Sequence, residues 1–458
     1  MKIYCSGIGG IGLSAYASLQ RAAGNDVSGS DRNDSALLEN LRSQGIAVSF
    51  NQSGDDIPED CDLFVYSEAI PRDAPERMRA SGLGIRQQSY PQALGDLSRG
   101  YSPVIAVCGT HGKSSTTGMA ARLLLHSGRD PTVVVGTKLR ELCPPSPELR
   151  DTIGRNWRKG RSGGTFLLEA CEYRNSFFAY DPTIILLTNC DGDHFDFFRS
   201  VEDYRAAFAA FVAKLPDGGA LITHLSDPDC AAVADAAGEK VIDADMFPLI
   251  TLKTPGKHMQ KNAQLALALA DALDIPPMQA QAAVSGYAGS WRRMELKGIL
   301  ILPPGPVSHG STEQAAQNDN GDIPVIDDYG HHPREIRATL EAMAGEYPGR
   351  RIICVFQPHT HDRTLKLYAD FTSAFRGAGA VVIPNIYEAR KDIENARVDL
   401  PRFVRDIAEN SGTKCLDGKS LAETENMLRE EILRPGDVLV CMGAGDITNF
   451  AERIVRTQ

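Results

Sequence analysis

The run GTHGKSS, residues 109–115, puts two glycines, a lysine and a row of hydroxyls where a chain can hold phosphate. Gly109, Thr110, His111, Gly112, Lys113, Ser114 and Ser115 follow the apolar stretch VIAVC and precede MAARLLL, so the spacing predicts a loop between a strand and a helix. At a helix N-terminus the free N–H groups and the helix dipole favour an anion. Lys113 adds a cation for the outer phosphates and Ser114 a hydroxyl for Mg2+; Val107 stands where a P-loop has its first glycine. An incidental Gly-Lys-Ser turn has the same composition, and the flanking strand and helix are what favour phosphate.

A second loop lies upstream. Gly7, Gly9 and Gly12, with Gly10 between them, fit G-x-G-x-x-G, and Asp31 follows at about the distance a dinucleotide fold uses for a ribose. The same spacing fits a tight turn that needs glycine, and these residues leave the choice open. Glu169 closes the apolar run TFLLE, and His194 follows TIILLTNCDGD. Alone, one is a surface carboxylate and the other a hydrogen-bonded imidazole. After strands and beside a phosphate loop, they suggest a site for one or two cations that neutralise a transferring phosphoryl group, although histidine is an unusual ligand for Mg2+.

Elements must position these groups. KIYCS, then an amphipathic run, then NDVSGSD reads as a βαβ opening; CDLFVYSEAI, SPVIAVC, TFLLE and TIILL read as further strands, with helices around 201–214 and 258–273. From about residue 293, IPVIDD, RIICVF, AVVIP and DVLVCM each end in a polar loop. This alternation predicts an α/β protein with parallel sheets, whose ligands sit beyond the C-terminal strand ends. Residues 142–164 and 303–321, rich in Pro, Gly and polar residues, read as surface loops.

A chain of 458 residues implies two to four domains, and three fit the pattern. The net charge of −11 argues against a nucleic-acid partner. Ten cysteines without a Cys-x-x-Cys pair imply a reducing compartment. With no long apolar run and no leader-like start, the expectation is a cytoplasmic protein without membrane insertion.

The ordered signatures GIGGIGLSA, SEAI, GTHGKSSTT, EACEYRNSF, TNCDGDHFDFF, GKHMQKNA, WRRMELKG, DDYGHHPREI and FQPHTHDRT resemble the Mur ligases, most nearly their alanine-adding branch, along essentially the whole chain. The resemblance implies a Rossmann-like UDP-sugar domain (1–101), a central P-loop ATPase-like domain (102–292) and a Rossmann-like C-terminal domain (293–458). It implies ATP and Mg2+ as cofactors, UDP-N-acetylmuramate and L-alanine as substrates, and a monomer or weak dimer. Two phosphorylated ligands would then explain two loops, with closure of the domains on binding.

Carried over by motif, Lys113 is the phosphate-binding cation, Ser114 and Glu169 serve one Mg2+ and His194 a second. His258, Asn262, Arg293 and Asp328 fall where the family grips the nucleotide. Gly7, Gly9, Gly10, Gly12, Asp31 and Ser67 fall on the sugar-nucleotide side, and His331, His359 and Arg363 where the family handles the sugar or the amino acid. His331 is the candidate for assisting proton loss from the amine. Simpler roles exist: Arg293 pairing with Glu295, Asn262 as an exposed position, and His331 and His332 capping the helix at Pro333; His359 and His361, two apart near a strand end, are too few ligands for a zinc site.

Met259 and Thr360 depart from the family pattern, and YRAAFAAF lacks the lysine that sister ligases carbamylate, which fits the alanine-adding branch. The rival readings are a ligase that recycles a tripeptide onto the same sugar, an NAD-dependent oxidoreductase using Gly7 to Gly12, and a non-enzymatic nucleotide switch, which Glu169 and His194 disfavour by supplying more metal-binding capacity than a switch requires.

Overall fold

The computed structural model describes residues 1–143, 154–195, 197–302, 321–388 and 397–456. Three sheets organise them. The first comprises β1 (Lys2–Ser6), β2 (Asp26–Ser30), β3 (Ala47–Ser49), β4 (Leu63–Tyr66) and β5 (Arg86–Ser89), in the order β3-β2-β1-β4-β5. All its pairs are parallel. The strand order therefore reverses between β1 and β4, and the loops after those strands flank one crevice.

The second sheet comprises β6 (Val104–Cys108), β7 (Thr132–Leu139), β8 (Arg155–Arg158), β9 (Phe166–Glu169), β10 (Ile184–Leu187), β11 (Ala220–Thr223) and β12 (Val241–Asp243), ordered β12-β11-β10-β6-β9-β7-β8. The third comprises β13 (Glu295–Leu300), β14 (Ile323–Asp328), β15 (Ile352–Phe356), β16 (Ala380–Pro384), β17 (Cys415–Lys419) and β18 (Val438–Met442), ordered β13-β14-β18-β15-β16-β17. VIAVC, IILL, IICVF, AVVIP and VLVCM are buried at every position, as expected of parallel strands covered on both faces. In β15, Cys354 and Phe356 join one apolar layer and Ile353 and Val355 the other, the period-2 alternation of a strand.

One expectation is corrected. Of the presumed loop 142–164, residues 144–153 lie outside the described ones, but Arg155–Arg158 forms β8, antiparallel to β7. RNWR offers no apolar alternation beyond Trp157, and a charged sequence suits an edge strand. This strand braces the first glycine loop: the Asn156 amide donates to the carbonyl of Ile11 and, at 3.2 Å, to the Ser14 hydroxyl. Of the other presumed loop, 303–320 lie outside the described residues.

The chain divides into two compact units. The first, Met1–Asp193 with Phe197–Thr251 and Lys261–Trp291, holds the first two sheets over one apolar core that runs from Ile3, Val27 and Leu63 to Leu168, Leu187 and Phe211. The second, His194–Asp196 with Leu252–Gln260 and Arg292–Gln458, holds the third sheet. Among the described residues no helix is long and apolar enough to cross a membrane.

Candidate functional site

In the first unit, β6 delivers its chain into the loop 109–112. Gly109 has φ +133° and Gly112 φ +79°, conformations that disfavour any side chain. A Cβ on Gly109 would lie 2.1 Å from the Thr188 hydroxyl, and one on Gly112 2.7 Å from Asn262 Oδ1. Gly112 is the N-cap of helix Lys113–His126 and no side chain caps that end, so the helix presents its dipole to an anion. Asn189, just past β10, clamps the loop: its Oδ1 accepts from His111 N–H at 2.9 Å, its Nδ2 donates to the His111 carbonyl at 3.1 Å, and its own carbonyl accepts from Thr110 N–H at 3.0 Å. Ser115 is buried in the first helical turn.

Lys113 folds back over this loop, donating to the carbonyls of Gly109 and Thr110. Its ammonium lies 3.1 Å from Glu172 Oε2, with side-chain exposures of 15% and 1%. Burial alone would lower the lysine pKa; the Glu172 carboxylate outweighs it and holds the group above its ordinary value. Glu172 also accepts from the Tyr204 hydroxyl at 3.0 Å, which in turn lies 3.0 Å from the Thr110 hydroxyl.

The Ser114 hydroxyl donates to Glu169 Oε1 at 3.1 Å, and Glu169 Oε2 accepts from Gly136 N–H at 2.9 Å. Among the described residues no three His, Cys, Asp or Glu side chains converge as a protein-only metal centre would. An oxygen pair beside a phosphate loop is instead what Mg2+ uses when phosphate and water complete its shell. The expected metal residues are thus brought together for Ser114 and Glu169. His194, at φ +55°, belongs to the second unit.

The upstream loop has a different character. Gly7 and Ile8 N–H both donate to the Ser30 carbonyl at 2.9 Å, Gly10 N–H to the Gly7 carbonyl at 3.2 Å, and Gly9 N–H to Asp31 Oδ2 at 2.8 Å. Three of the four glycines also have a packing reason: Gly7 has φ +79° with Ser67 against it, Gly9 meets Asp31, and a Cβ on Gly12 would lie 2.7 Å from the Tyr90 ring. Asp31 therefore closes the turn itself. Helix Ile11–Ala22 starts at Gly10 with no side-chain cap.

The second unit gathers two further groups. His258, Arg293 and Asp328 form one. Arg293 pairs with Glu335 at 3.2 Å rather than with Glu295, which accepts from Arg292 N–H and pairs with Lys297. Glu335 is favoured because the helix starting at Pro333 carries it back over its own N-terminus. Burial, assisted by Arg293, lowers the His258 pKa to about 4. Burial raises that of Asp328 to about 6 although Arg293 and the N–H groups of Met294 and Gly330 oppose it.

His331, His359 and Arg363 form the other group. The His331 ring lies 5.9 Å from that of His359, which stacks on Tyr387 and has Arg363 at 3.4 Å. His332, not His331, caps the helix at Pro333. His361 turns to Val398 N–H instead of joining His359. Asn262, in the first unit, is buried against Gly112 rather than exposed.

Glu172, Asn189, Tyr204 and Tyr387 were not singled out from sequence. Glu172 carried a signal, a second carboxylate three residues beyond a strand-ending glutamate; the others sit in runs where one polar residue looks like the next.

Three family descriptions match the chain: Mur ligase family, catalytic domain, over residues 2–102; Mur ligase middle domain over 107–247; and Mur ligase, glutamate ligase domain, over 313–445. A UDP-N-acetylmuramate–L-alanine ligase of Lachnospira eligens is 34% identical, covering 100% of this chain and 98% of that enzyme. One from Clostridium novyi is 32% identical with the same coverage. Among solved structures, the UDP-N-acetylmuramate-alanine ligase of Thermotoga maritima superposes with a TM-score of 0.76 at 26% identity, covering 100% of this chain and 98% of that one. A murein peptide ligase of Psychrobacter arcticus, 21% identical with a TM-score of 0.69 and the same coverage, shares the fold.

Proposed function

The chain belongs to the Mur ligase family, and from that premise we propose that it joins L-alanine to the lactyl carboxylate of UDP-N-acetylmuramate at the expense of ATP, in peptidoglycan precursor synthesis. The observation that carries the reading is the phosphate loop with Lys113 against Glu172 and Ser114 against Glu169.

A carboxylate is a poor acyl donor because oxide is a poor leaving group. Its oxygen attacks the γ-phosphorus, the bond to the β–γ bridging oxygen breaks, and ADP departs from an acyl phosphate. The alanine amine then attacks the acyl carbon, loses a proton, and inorganic phosphate leaves as the amide forms. Lys113 and Arg293 carry positive charge for the oxygens that gain negative charge. Mg2+ would neutralise charge on the phosphates, one ion taking oxygen ligands from Ser114 and Glu169 and a second being assigned to His194. His258, Asn262 and Asp328 are assigned to the nucleotide. Gly12, Ser67 and the first turn of helix Ile11–Ala22 are assigned to the sugar nucleotide, with Gly7, Gly9, Gly10 and Asp31 shaping the turn before it.

His331 is assigned to the amine proton. Its Nδ1 lies 3.0 Å from the Tyr329 carbonyl, an acceptor, so Nδ1 carries the hydrogen and Nε2 is the basic atom when the ring is neutral. Residues 1–101, 102–292 and 293–458 are proposed as the sugar-nucleotide, ATP and amino-acid domains. The protein is placed in the cytoplasm, where both nucleotides are made, as a monomer or weak dimer.

The test is phosphate release by purified protein given ATP, Mg2+ and UDP-N-acetylmuramate with L-alanine, serine, glycine or a tripeptide. L-Alanine should be the best acceptor. Release with the tripeptide alone would replace this reading by that of a recycling ligase.

A further inference from the structure

The segment after β9 runs from the phosphate loop to the first sheet. Glu169 and Glu172 engage Ser114 and Lys113, while Ser176 Oγ donates to Glu68 Oε2 at 2.9 Å and Arg174 Nη1 approaches the Glu68 carbonyl at 3.4 Å. Glu68 follows Ser67 in the loop after β4, and Ser67 abuts Gly7 of the loop after β1. Arg174 therefore stands at the crevice where the first sheet's strand order reverses, the position where open α/β sheets take ligands.

Its backbone is unusual. Arg174 and Asn175 are consecutive non-glycine residues at φ +52° and +59°, a left-handed pair that persists only where its surroundings hold it. Asn175 N–H donates to the Glu172 carbonyl at 2.9 Å and Ser176 Oγ to that of Tyr173 at 2.7 Å. The turn leaves the guanidinium exposed beside the Tyr173 ring. It also leaves Asn175 Oδ1 buried without a hydrogen-bond partner among the described residues, a further cost that the surroundings of the turn must offset.

We propose that Arg174 is a substrate-positioning cation that receives an anionic group of the sugar nucleotide at the crevice between the two loops. A planar guanidinium suits either a diphosphate or a carboxylate, and UDP-N-acetylmuramate carries both. The proposal rests on the function assigned above and gives a role to a residue of the signature EACEYRNSF that the motif comparison left without one.

The test uses the full chain with Arg174→Gln, which keeps the strained backbone, and Arg174→Gly, which relieves it. Calorimetry with UDP, UDP-N-acetylglucosamine and UDP-N-acetylmuramate separates the two anions. Weakening of all three by tenfold or more assigns the diphosphate; weakening confined to UDP-N-acetylmuramate assigns the carboxylate. In either case KM for the sugar nucleotide rises, ADP affinity stays within twofold, and Arg174→Gly melts no lower than the parent while binding as poorly as Arg174→Gln. Unchanged sugar-nucleotide binding in both variants overturns the proposal. A parallel loss of ADP affinity and melting temperature, the mark of a merely structural residue, does so too. Failure of the unmodified chain to bind UDP-N-acetylmuramate would instead defeat the assigned function, and this inference with it.

Discussion

Lys113→Met should do more than stop turnover. Read from sequence, Lys113 is a phosphate ligand and nothing more. In the structure its ammonium is the charge partner of Glu172, a carboxylate whose side chain is 1% exposed. Removing one member of a buried pair typically costs about 3–5 kcal/mol because the other charge is stranded. The Tyr204 hydroxyl still donates to Glu172, so the expected loss is near the lower end, about 3 kcal/mol. Glu172→Gln alone should cost less, since the Lys113 ammonium it strands still donates to the Gly109 and Thr110 carbonyls, and the double variant Lys113→Met/Glu172→Gln should recover about 2 kcal/mol of the first loss while remaining inactive. Both tryptophans, Trp157 and Trp291, lie in the first unit, so their emission during urea unfolding reports the unit that contains the pair. A Lys113→Met protein as stable as the parent, or single losses that simply add in the double variant, would refute the reasoning.

Other outcomes follow from the same geometry. Glu169→Gln should raise the Mg2+ concentration for half-maximal turnover at least tenfold; an unchanged requirement would remove Glu169 from the metal. Gly112→Ala forces a left-handed alanine, about 1–2 kcal/mol, against the Asn262 amide, and should weaken ADP binding in calorimetry by roughly tenfold. Equal affinity would separate the Gly112 contact from the nucleotide. Asp328 titrates at about 6 in the fold against 3.8 in its absence. Because the fold raises that pKa, its contribution is fully present below pH ~4 and lost as pH rises through ~6, a fall of about 3 kcal/mol by neutrality. Hydrogen exchange in the second unit should show this fall and Asp328→Asn should flatten it; a parallel slope in the variant would discount the carboxylate.

What the sequence made legible tracks what is local. The phosphate loop, the strands before it and the helix after it depend on neighbours within a few residues, and GTHGKSS carries them all. The buried runs VIAVC and IICVF announce themselves by composition. Groups whose role depends on a distant partner were ambiguous: Arg293 chose Glu335 over Glu295 because of where a helix begins, and His332 became the cap that His331 could equally have supplied. Asn262 reads as any polar helical residue until Gly112 is found against it. β8 was hidden because an edge strand is under pressure to look unlike a strand.

The upstream glycines show how one motif can encode the geometry of a turn rather than a set of free backbone amides. Ser30, Gly7 and Asp31 occupy the amides of residues 7 to 10, so G-x-G-x-x-G here encodes the sharp exit from β1 and the close approach of Tyr90 to Gly12. The anion-facing groups are then the first turn of the helix and whatever else reaches the same crevice. Ligation requires an acid and a phosphoryl donor to meet, so the two loops cannot act as independent sites. The run from Glu169 to Ser176 is the piece of chain that touches both, engaging Ser114 and Lys113 at one end and Glu68 at the other. Its two left-handed residues let eight positions turn that corner, and a variant that straightens it should uncouple nucleotide binding from sugar binding before it abolishes either.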